Sequence, residues 1–263
     1  MIYTHDIDPI IVSIGPVELY WYGAMYAISF LIIDYMMKAN HFNFNKYNLS
    51  KIQIDKVLLV SLIALLIGGR LGYVIFYNLD YYLLSPIKTL FIWEGGMSFH
   101  GALLGVIIAT YSLRKSLKIN FLQLTDFMVL YVPIGLFFGR IGNFINSELY
   151  GIPTYSSWGV IFPLLDNIPR HPSMLYEAFL EGVVLFTILL LLSRKHFTTP
   201  GFLTSIFLIF YSIFRFMIEF VRVPDSHIGY IWNDWLTLGQ LLSLPMMFFG
   251  LLLLTRLKRS QSK

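Results

Sequence analysis

Gly139-Arg140-Ile141-Gly142-Asn143-Phe144-Ile145-Asn146-Ser147-Glu148-Leu149-Tyr150-Gly151 ends a long apolar run of this chain. A charged side chain at hydrocarbon depth costs roughly 2.5–3.5 kcal/mol on insertion scales, so such a residue is kept mainly where it meets an anion, a water-filled cavity or a paired carboxylate. Here two amides, a carboxylate and further glycines follow the arginine, so side chains and backbone can converge on one ligand. The segment therefore predicts a polar binding site within a membrane-embedded helix bundle.

The composition supports a membrane protein. Of the 263 residues, 57% are hydrophobic and only 13% are charged, whereas a soluble domain carries about 25% charged residues. The apolar runs predict an all-α polytopic fold, a bundle of seven transmembrane helices with a small extracytoplasmic portion. No linker or repeat divides the chain, so residues 1–263 are predicted to form a single integral-membrane domain. The predicted spans lie near residues 18–37, 57–78, 97–113, 122–142, 174–193, 202–222 and 235–255.

The basic residues predict the orientation of these spans. Thirteen of the 19 Lys and Arg residues fall in the connections 38–56, 114–121 and 194–201 and in the C-terminal tail. Seven crossings place all of these on one side, and the opposite connections hold only Lys88, Arg170 and Arg222. The positive-inside rule then puts the N-terminus outside and the C-terminus in the cytoplasm. Because the basic residues sort by loop and form no patch, we expect no nucleic-acid partner.

Arg70 and Arg140 each call for a partner inside a predicted span. Arg70 has two open interpretations, an ion pair with a carboxylate such as Asp126 or Glu177, or a ligand contact. Glu177 and Glu181 lie four residues apart and so share a helical face. They are candidate partners for Arg140 or Arg70.

Tyr211, Arg215 and Glu219 recur every four residues in the sixth predicted span. This spacing puts all three on one helical face, which we expect to point into the bundle. The alternative is an internal Arg–Glu pair with no role in binding substrate.

His100 begins the third predicted span on the outer side. Histidine is the usual general base near neutral pH, so catalysis or direct substrate contact is one interpretation. A structural hydrogen bond is the other. No second histidine or carboxylate has zinc-ligand spacing to His100, and the chain has no cysteine, so we expect neither a metal nor a cofactor.

The glycines near the spans have two interpretations. Most of them, including Gly68 and Gly101, fit close helix packing through small residues. Gly95-Gly96, Gly142 and Gly151 lie near predicted site residues, where we expect the backbone to approach a ligand.

Together these polar residues predict a cavity, open outward and laterally, for an anionic amphiphile whose tails remain in lipid. Guanidinium groups match phosphate geometry, so the ligand is predicted to be a phospholipid headgroup. An anionic phospholipid transporter would carry similar residues, but it usually shows internal repeats, which we do not find. An intramembrane serine protease using Ser98 and His100 is a weaker alternative, because residues two apart project from different helical faces.

At these residues the chain resembles the prolipoprotein diacylglyceryl transferase family, nearly from end to end. One departure is Tyr20, where many members have a histidine, so any proton transfer assigned to that histidine cannot apply here. The matching motifs are Trp21-Tyr22-Gly23, Gly69-Arg70-x-Gly72-Tyr73, Gly95-Gly96-Met97-Ser98-Phe99-His100-Gly101, Gly139-Arg140-Ile141-Gly142-Asn143-Phe144-Ile145-Asn146-x-Glu148-x-x-Gly151, Arg170-His171-Pro172-Ser173 and Phe214-Arg215-x-x-x-Glu219-x-x-Arg222.

The resemblance implies an enzyme of the bacterial cytoplasmic (inner) membrane. Such an enzyme moves the diacylglyceryl group of phosphatidylglycerol onto the sulfur of a lipobox cysteine in a prolipoprotein, forms a thioether and releases glycerol phosphate. It also implies roles for Arg140 and Arg215 at the lipid phosphate and for His100 and Tyr22 in catalysis. The remaining positions that match functional residues of the family are Asn143, Glu148, Gly151, Tyr211, Glu219 and Asp126, to which we add Arg70 as a substrate-binding candidate.

These roles combine into a mechanistic hypothesis. A thiol of pKa about 8.5 is mostly protonated at neutral pH, so a base is needed, and His100 is the candidate. Arg140 and Arg215 would neutralise the departing phosphate. Glu148 and Glu219 would orient these arginines, while Tyr22 helps to place the substrate and Asn143 hydrogen-bonds headgroup or glycerol oxygens.

Overall fold

The computed structural model describes residues 2–15, 17–40, 47–196, 199–224 and 229–261, and it is mostly helical. Lys46 and Lys263, two of the 13 basic residues from which the orientation is predicted, lie outside this part of the chain. The helices are α1 (Trp21–Ala39), α2 (Lys51–Tyr77), α3 (Leu79–Leu84), α4 (Phe99–Leu117), α5 (Phe121–Val129), α6 (Val132–Ile145), α7 (Ser173–Glu177), α8 (Leu185–His196), α9 (Phe202–Ile218) and α10 (Leu238–Gln261). Short 3₁₀ turns cover Pro86–Leu90 and Ile92–Glu94, and a π-helical turn, Ala178–Val184, joins α7 to α8.

Each predicted span overlaps one or more helices of the structure, although not every helix is long and apolar enough to cross a membrane. Among the described residues, Lys51–Tyr77, Ser173–Arg194 and Leu238–Arg259 qualify by length and composition. α5 and α6 add a fourth span if the pair, bent by 42°, counts as one. Pro133 at the start of α6 has no N–H to continue the hydrogen bonds of α5, which accounts for the break. The membrane character of the chain is thus supported, and the number of seven spans stays a prediction.

The contacts divide the chain into two compact units, Met1–Tyr35 with Asp126–Lys263, and Met36–Thr125. The prediction of one domain is left untested by this division. In the first unit α6 packs against α7 and the π-helical turn, α8 against α9, and α9 against α10. In the second unit α2 packs along α4.

The first unit also contains short strands that the sequence did not predict. β1 (Tyr3–Thr4) pairs in parallel with β4 (Val160–Ile161), which pairs antiparallel with β5 (Pro169–Arg170). This sheet lies over Phe162 and Met174, which are fully buried. The buried ring of His5 follows β1, and its Nε2 lies 3.1 Å from the carbonyl oxygen of Ile145, the last residue of α6. Two further antiparallel pairs join β2 (Ile10–Ile14) to β3 (Val17–Tyr20) and β6 (Tyr230–Trp232) to β7 (Leu236–Thr237).

The second unit depends on the absence of side chains where α2 meets α4. A Cβ added to Gly68 or Gly105 would collide with backbone atoms of the opposite helix. The same holds for Gly101 against Gly68 and Gly72. Helix packing through small residues, the interpretation given to most of these glycines, is therefore confirmed for this pair.

Candidate active site

Glu177 is the centre of a buried cluster of arginines and carboxylates in the first unit. It ends α7 and is fully buried. Its Oε2 lies 2.9 Å from Arg140 Nε on α6. Its Oε1 accepts hydrogen bonds from Arg215 Nη1 on α9 and from Arg222 Nη1, the latter at 3.0 Å. One carboxylate thus ties together three guanidinium groups from separate parts of the chain.

Glu219 and Glu181 hold the two sides of the cluster. Glu219 pairs with Arg215 Nη2 and accepts a hydrogen bond from the Thr237 hydroxyl. Glu181, in the π-helical turn, accepts a hydrogen bond of 3.4 Å from Arg140 Nη2. The predicted common faces of Arg215 with Glu219 and of Glu177 with Glu181 are confirmed. Glu177 and Glu181 both pair with Arg140, as their spacing suggested.

The arginine and glutamate side chains of the cluster differ in their exposed fraction. The side chains of Glu177 and Glu181 are completely buried, whereas those of Arg140 and Arg215 keep 16% and 15% of their surface. Arg140 uses Nε and Nη2 for the glutamates, and no contact of its Nη1 with another side chain is found within the part of the chain that the structure describes. The exposed surface of these four side chains therefore belongs to the two guanidinium groups and not to Glu177 or Glu181.

Tyr211 belongs to the same region. It is buried on α9, one turn before Arg215, and lies within electrostatic range of Arg140, Arg215 and Glu181. The face formed by Tyr211, Arg215 and Glu219 thus points toward the cluster, as the four-residue spacing predicted.

A second polar group, which includes Tyr22, surrounds the end of α6. The Tyr22 hydroxyl lies 3.1 Å from that of Tyr26, and the Tyr22 ring packs on Gly142. Asn143 Nδ2 donates to Glu148 Oε2 at 3.1 Å, and a second amide, that of Asn146, donates to the other carboxylate oxygen at 3.4 Å. The expectation that Glu148 orients an arginine is therefore wrong, because this carboxylate holds two amides in place.

Gly151 lies where two other segments of the chain, at His171 and at Val221, pack closely against its backbone. Its N–H donates to the carbonyl of His171 at 2.8 Å, and it forms an antiparallel bridge with Arg222. A Cβ at this position would lie 2.6 Å from His171 Cβ and would also collide with the Val221 carbonyl. The glycine allows the chain that carries Arg222 to approach, and its expected contact with substrate stays a prediction.

Asp126 caps a helix at a distance from the arginine cluster along α9. It is fully buried and accepts the backbone N–H groups of Gly201 and Thr204, both at 2.7 Å, and the Thr204 hydroxyl at 2.6 Å. These contacts satisfy N–H groups at the start of α9 that no turn of the helix can satisfy. The described contacts of Asp126 are thus structural, and its substrate-binding role stays a prediction.

Arg70, in the second unit, has no carboxylate as partner among the ion pairs of the described residues. The predicted ion pair with Asp126 or Glu177 is wrong. Its guanidinium instead donates to backbone carbonyls between residues 88 and 96, including Lys88 at 2.7 Å and Thr89 at 2.9 Å. Every residue has a backbone carbonyl, so the amino-acid sequence does not show which ones accept these hydrogen bonds.

His100 lies in the first turn of α4 and is exposed, with its ring edge-on to Phe99. Ser98 is the N-cap of the same helix, where its Oγ accepts the Gly101 N–H at 3.3 Å. Ser98 is buried, and its hydroxyl oxygen is part of the cap of α4. This contact disfavours the protease alternative.

Arg222 and Glu177 belong to the cluster, although neither was predicted to be a site residue. Arg222 was assigned to an outer connection, yet it is buried and contacts Glu177. Its spacing of three residues from Glu219 was the available signal, since such residues share a helical face.

The segment before α7, residues 147–172, is held by a second, separate ion pair. Arg170 Nη2 lies 2.6 Å from Asp166 Oδ2, and Arg170 Nη1 donates to the Gly151 carbonyl at 3.3 Å. The hydrogen bonds from Arg170 lower the pKa of Asp166 below its usual value. This pair steadies the strand that leads past Gly151 toward the cluster.

Comparison with known proteins gives a match to a family and to individual sequences. The family model described as "Prolipoprotein diacylglyceryl transferase" matches residues 9–256. Three proteins named phosphatidylglycerol–prolipoprotein diacylglyceryl transferase are similar over nearly their whole length. The one from Methylococcus capsulatus is 47% identical over 249 residues, 94% of each chain. That from Rickettsia felis is 50% identical over 247 residues, 93% of this chain and 95% of the relative. That from Pseudomonas aeruginosa is 47% identical over 253 residues, 95% and 93% of the two chains.

Proposed function

The chain belongs to the prolipoprotein diacylglyceryl transferase family, and we propose that its arginine cluster binds the lipid phosphate during the transfer reaction. The enzyme transfers the diacylglyceryl group of phosphatidylglycerol to a prolipoprotein. The transporter alternative has no support from these relatives. The acceptor that we propose is the thiol of a lipobox cysteine, which fits a chain that has no cysteine of its own.

The observation that carries the proposed site is the meeting of Arg140 and Arg215 on Glu177. Two guanidinium groups held by one carboxylate have fixed orientations before substrate arrives, so little reorganisation is required when an anion binds. The part of both guanidinium groups that remains exposed is the proposed contact surface, since the side chains of Glu177 and Glu181 are fully buried. A phosphodiester placed against this surface would accept planar, charge-assisted hydrogen bonds.

The reaction makes this placement catalytic as well as binding. The thiolate sulfur forms a bond to the glycerol carbon that carries the phosphate, and the bond between that carbon and the phosphate oxygen breaks. The electron pair leaves with the oxygen, so the phosphate group changes from a diester with one negative charge to a monoester with an additional charge. Arg140 and Arg215 would stabilise this developing charge, which is present only in the transition state and product.

The thiol proton goes to a base, and we propose His100 for this role. Histidine accepts a proton near neutral pH, and its exposed position at the start of α4 leaves the ring accessible. Tyr22, Asn143 and Glu148 would bind the remaining hydroxyl and ester oxygens. The support for this group is that the Asn143 amide and the Glu148 carboxylate already hold each other at 3.1 Å beside the Tyr22 ring.

We further propose the finer topology predicted from sequence. The chain would form one domain of seven transmembrane helices in the bacterial inner membrane, with the N-terminus outside and the C-terminus in the cytoplasm. The distribution of basic residues between connections supports this orientation. The site at the end of α6 would then face the outer side, where a secreted prolipoprotein presents its cysteine.

Purified protein in vesicles containing labelled phosphatidylglycerol tests the function directly. A peptide with a lipobox cysteine should gain the mass of one diacylglyceryl group, with release of one glycerol phosphate for each thioether formed. The matched peptide with serine in place of the cysteine should remain unmodified. Movement of the lipid without glycerol phosphate release would instead indicate a transporter.

A further inference from the structure

The strongest feature outside the arginine–glutamate cluster is the set of acceptors around Arg70. This side chain leaves α2 and is only 3% exposed. Its five N–H groups are directed to five backbone carbonyls of one short segment. Nε donates to the carbonyl of Thr89 at 2.9 Å. Nη1 donates to the carbonyls of Gly95 and, at 3.3 Å, of Gly96. Nη2 donates to the carbonyls of Lys88 at 2.7 Å and of Phe91 at 3.0 Å.

This arrangement fixes a segment that has little regular structure of its own. Residues 86–94 form two short 3₁₀ turns, which leave carbonyl groups unused at their ends. Gly95 and Gly96 follow with φ of 81° and 77°, a left-handed backbone that favours glycine. In this conformation both glycine carbonyls reach the same guanidinium nitrogen of Arg70.

The segment then passes directly into the helix that carries His100. The Ser98 N–H donates to the Gly69 carbonyl at 2.8 Å, and the Ser98 hydroxyl caps α4. Gly69 is the neighbour of Arg70 on α2, so consecutive residues of one helix hold both the segment and the start of the next helix. His100 lies two residues beyond this cap.

We propose that Arg70 is a positioning residue for His100, because it fixes segment 88–96 and, through Ser98, the first turn of α4. The inference rests on the proposed role of His100 in the reaction. It replaces the expectation that Arg70 binds substrate, since all five of its donors are already used by the protein. Arginine is required because a lysine ammonium has three donors and no planar fork to span acceptors from Lys88 to Gly96.

The first test separates positioning from substrate binding in the full-length protein. We expect Arg70→Lys to lower kcat by about 10- to 100-fold, the loss that a misplaced catalytic group causes. The KM values for phosphatidylglycerol and for the lipobox peptide should change less than about threefold, because no substrate contact is removed. The matched control is Arg114→Lys at the other end of α4, which should leave both constants unchanged. A large rise in the KM for phosphatidylglycerol, with kcat preserved, would overturn the proposal in favour of direct lipid contact.

The second test asks whether Arg70 acts through His100. The double variant Arg70→Lys with His100→Gln should be no slower than His100→Gln alone, because a misplaced base cannot matter once the base is absent. Losses that multiply would show that Arg70 acts independently of His100, and this would overturn the proposal.

A third measurement does not require activity. Amide hydrogen exchange at residues 88–98 should become faster in Arg70→Lys than in the wild type, while exchange in α9 stays unchanged. If the wild type lacks transferase activity, the proposed function fails, although faster exchange in Arg70→Lys would still show that Arg70 holds this segment. Unchanged exchange in an active protein would overturn the role of Arg70 alone.

A glycine variant tests the same segment if Arg70→Lys does not fold. Gly95→Ala adds a methyl group with no atom within 4 Å, so its effect comes only from the strained φ of 81°. It should reproduce the loss of kcat at unchanged KM. Gly15→Ala, with φ of 61° and equally free space in the turn between β2 and β3, is the matched control. Equal turnover in the two alanine variants would contradict the proposal.

Discussion

Replacement of Glu177 by glutamine tests the central carboxylate of the cluster. The side chain is fully buried and contacts Arg140, Arg215 and Arg222, so Glu177→Gln leaves three guanidinium groups with two carboxylates. Removing one partner from a buried ion pair costs about 3–5 kcal/mol, because the remaining charge is uncompensated. This is a large part of a typical unfolding free energy of about 5–15 kcal/mol.

Glu181→Gln is the matched control for this prediction. Glu181 is equally buried but contacts only Arg140, at 3.4 Å, and its Oε1 has no hydrogen-bond partner among the described residues. Its loss should cost no more than about 1.5 kcal/mol, the lower end for a hydrogen bond to a charged group.

Denaturant unfolding in detergent micelles measures both differences, and diacylglyceryl transfer to a lipobox peptide measures activity. Glu177→Gln should be the less stable variant by at least about 1.5 kcal/mol and should lose about 100-fold in kcat/KM, since both phosphate-binding arginines lose their anchor. Equal stability of the two variants, with normal turnover in Glu177→Gln, would refute the assignment of Glu177 as the shared anchor.

Three further predictions follow from particular contacts. Arg215→Lys keeps the charge but cannot span Glu177 and Glu219 as a planar fork, so kcat/KM should fall by about 10- to 100-fold, and an unchanged value would show that this fork does not position the charge for the reaction. Gly142→Ala would place a Cβ 2.9 Å from Tyr22 Cδ2 and should reduce turnover, whereas Gly135→Ala on the same helix, with no atom within 4 Å, should not. Asp166→Asn should lower the thermal midpoint at pH 7, and this difference should vanish as the pH falls below the usual Asp pKa of about 3.9 and through the lower folded-state value. A difference that persists at a pH where the Asp166 carboxyl is protonated in the folded protein would exclude the charged pair with Arg170 as its cause.

The regular parts of the fold could be predicted because apolar length and helical spacing are visible in the sequence. Every predicted span overlaps helix. Arg215 pairs with Glu219 four residues later, and Glu177 and Glu181, also four residues apart, both pair with Arg140. The π-helical turn at Ala178–Val184 and the short strands could not be predicted. Their residues have no distinctive period, and tertiary contacts decide their conformation.

The roles of Arg70, Asp126 and Gly151 could not be inferred from side-chain types alone. Arg70 and Asp126 contact backbone groups, and every residue supplies those, so the sequence holds no signal of the partner. Gly151 is required because His171 and the Val221 carbonyl approach it, a contact that depends on the fold of the segment before α7. Arg222 was placed in a connection because the predicted span ended there, although its buried guanidinium reaches Glu177.

Whether both guanidinium groups hold one phosphate is tested most directly by the rate of transfer in three variants. These are Arg140→Gln, Arg215→Gln and the double variant. Thioether formation and glycerol phosphate release are measured together at saturating phosphatidylglycerol. Residues that act as a unit are strongly non-additive, so each single variant should lose at least about 100-fold and the double variant little more. Losses that multiply, or a double variant that turns over at nearly the wild-type rate, would contradict the account.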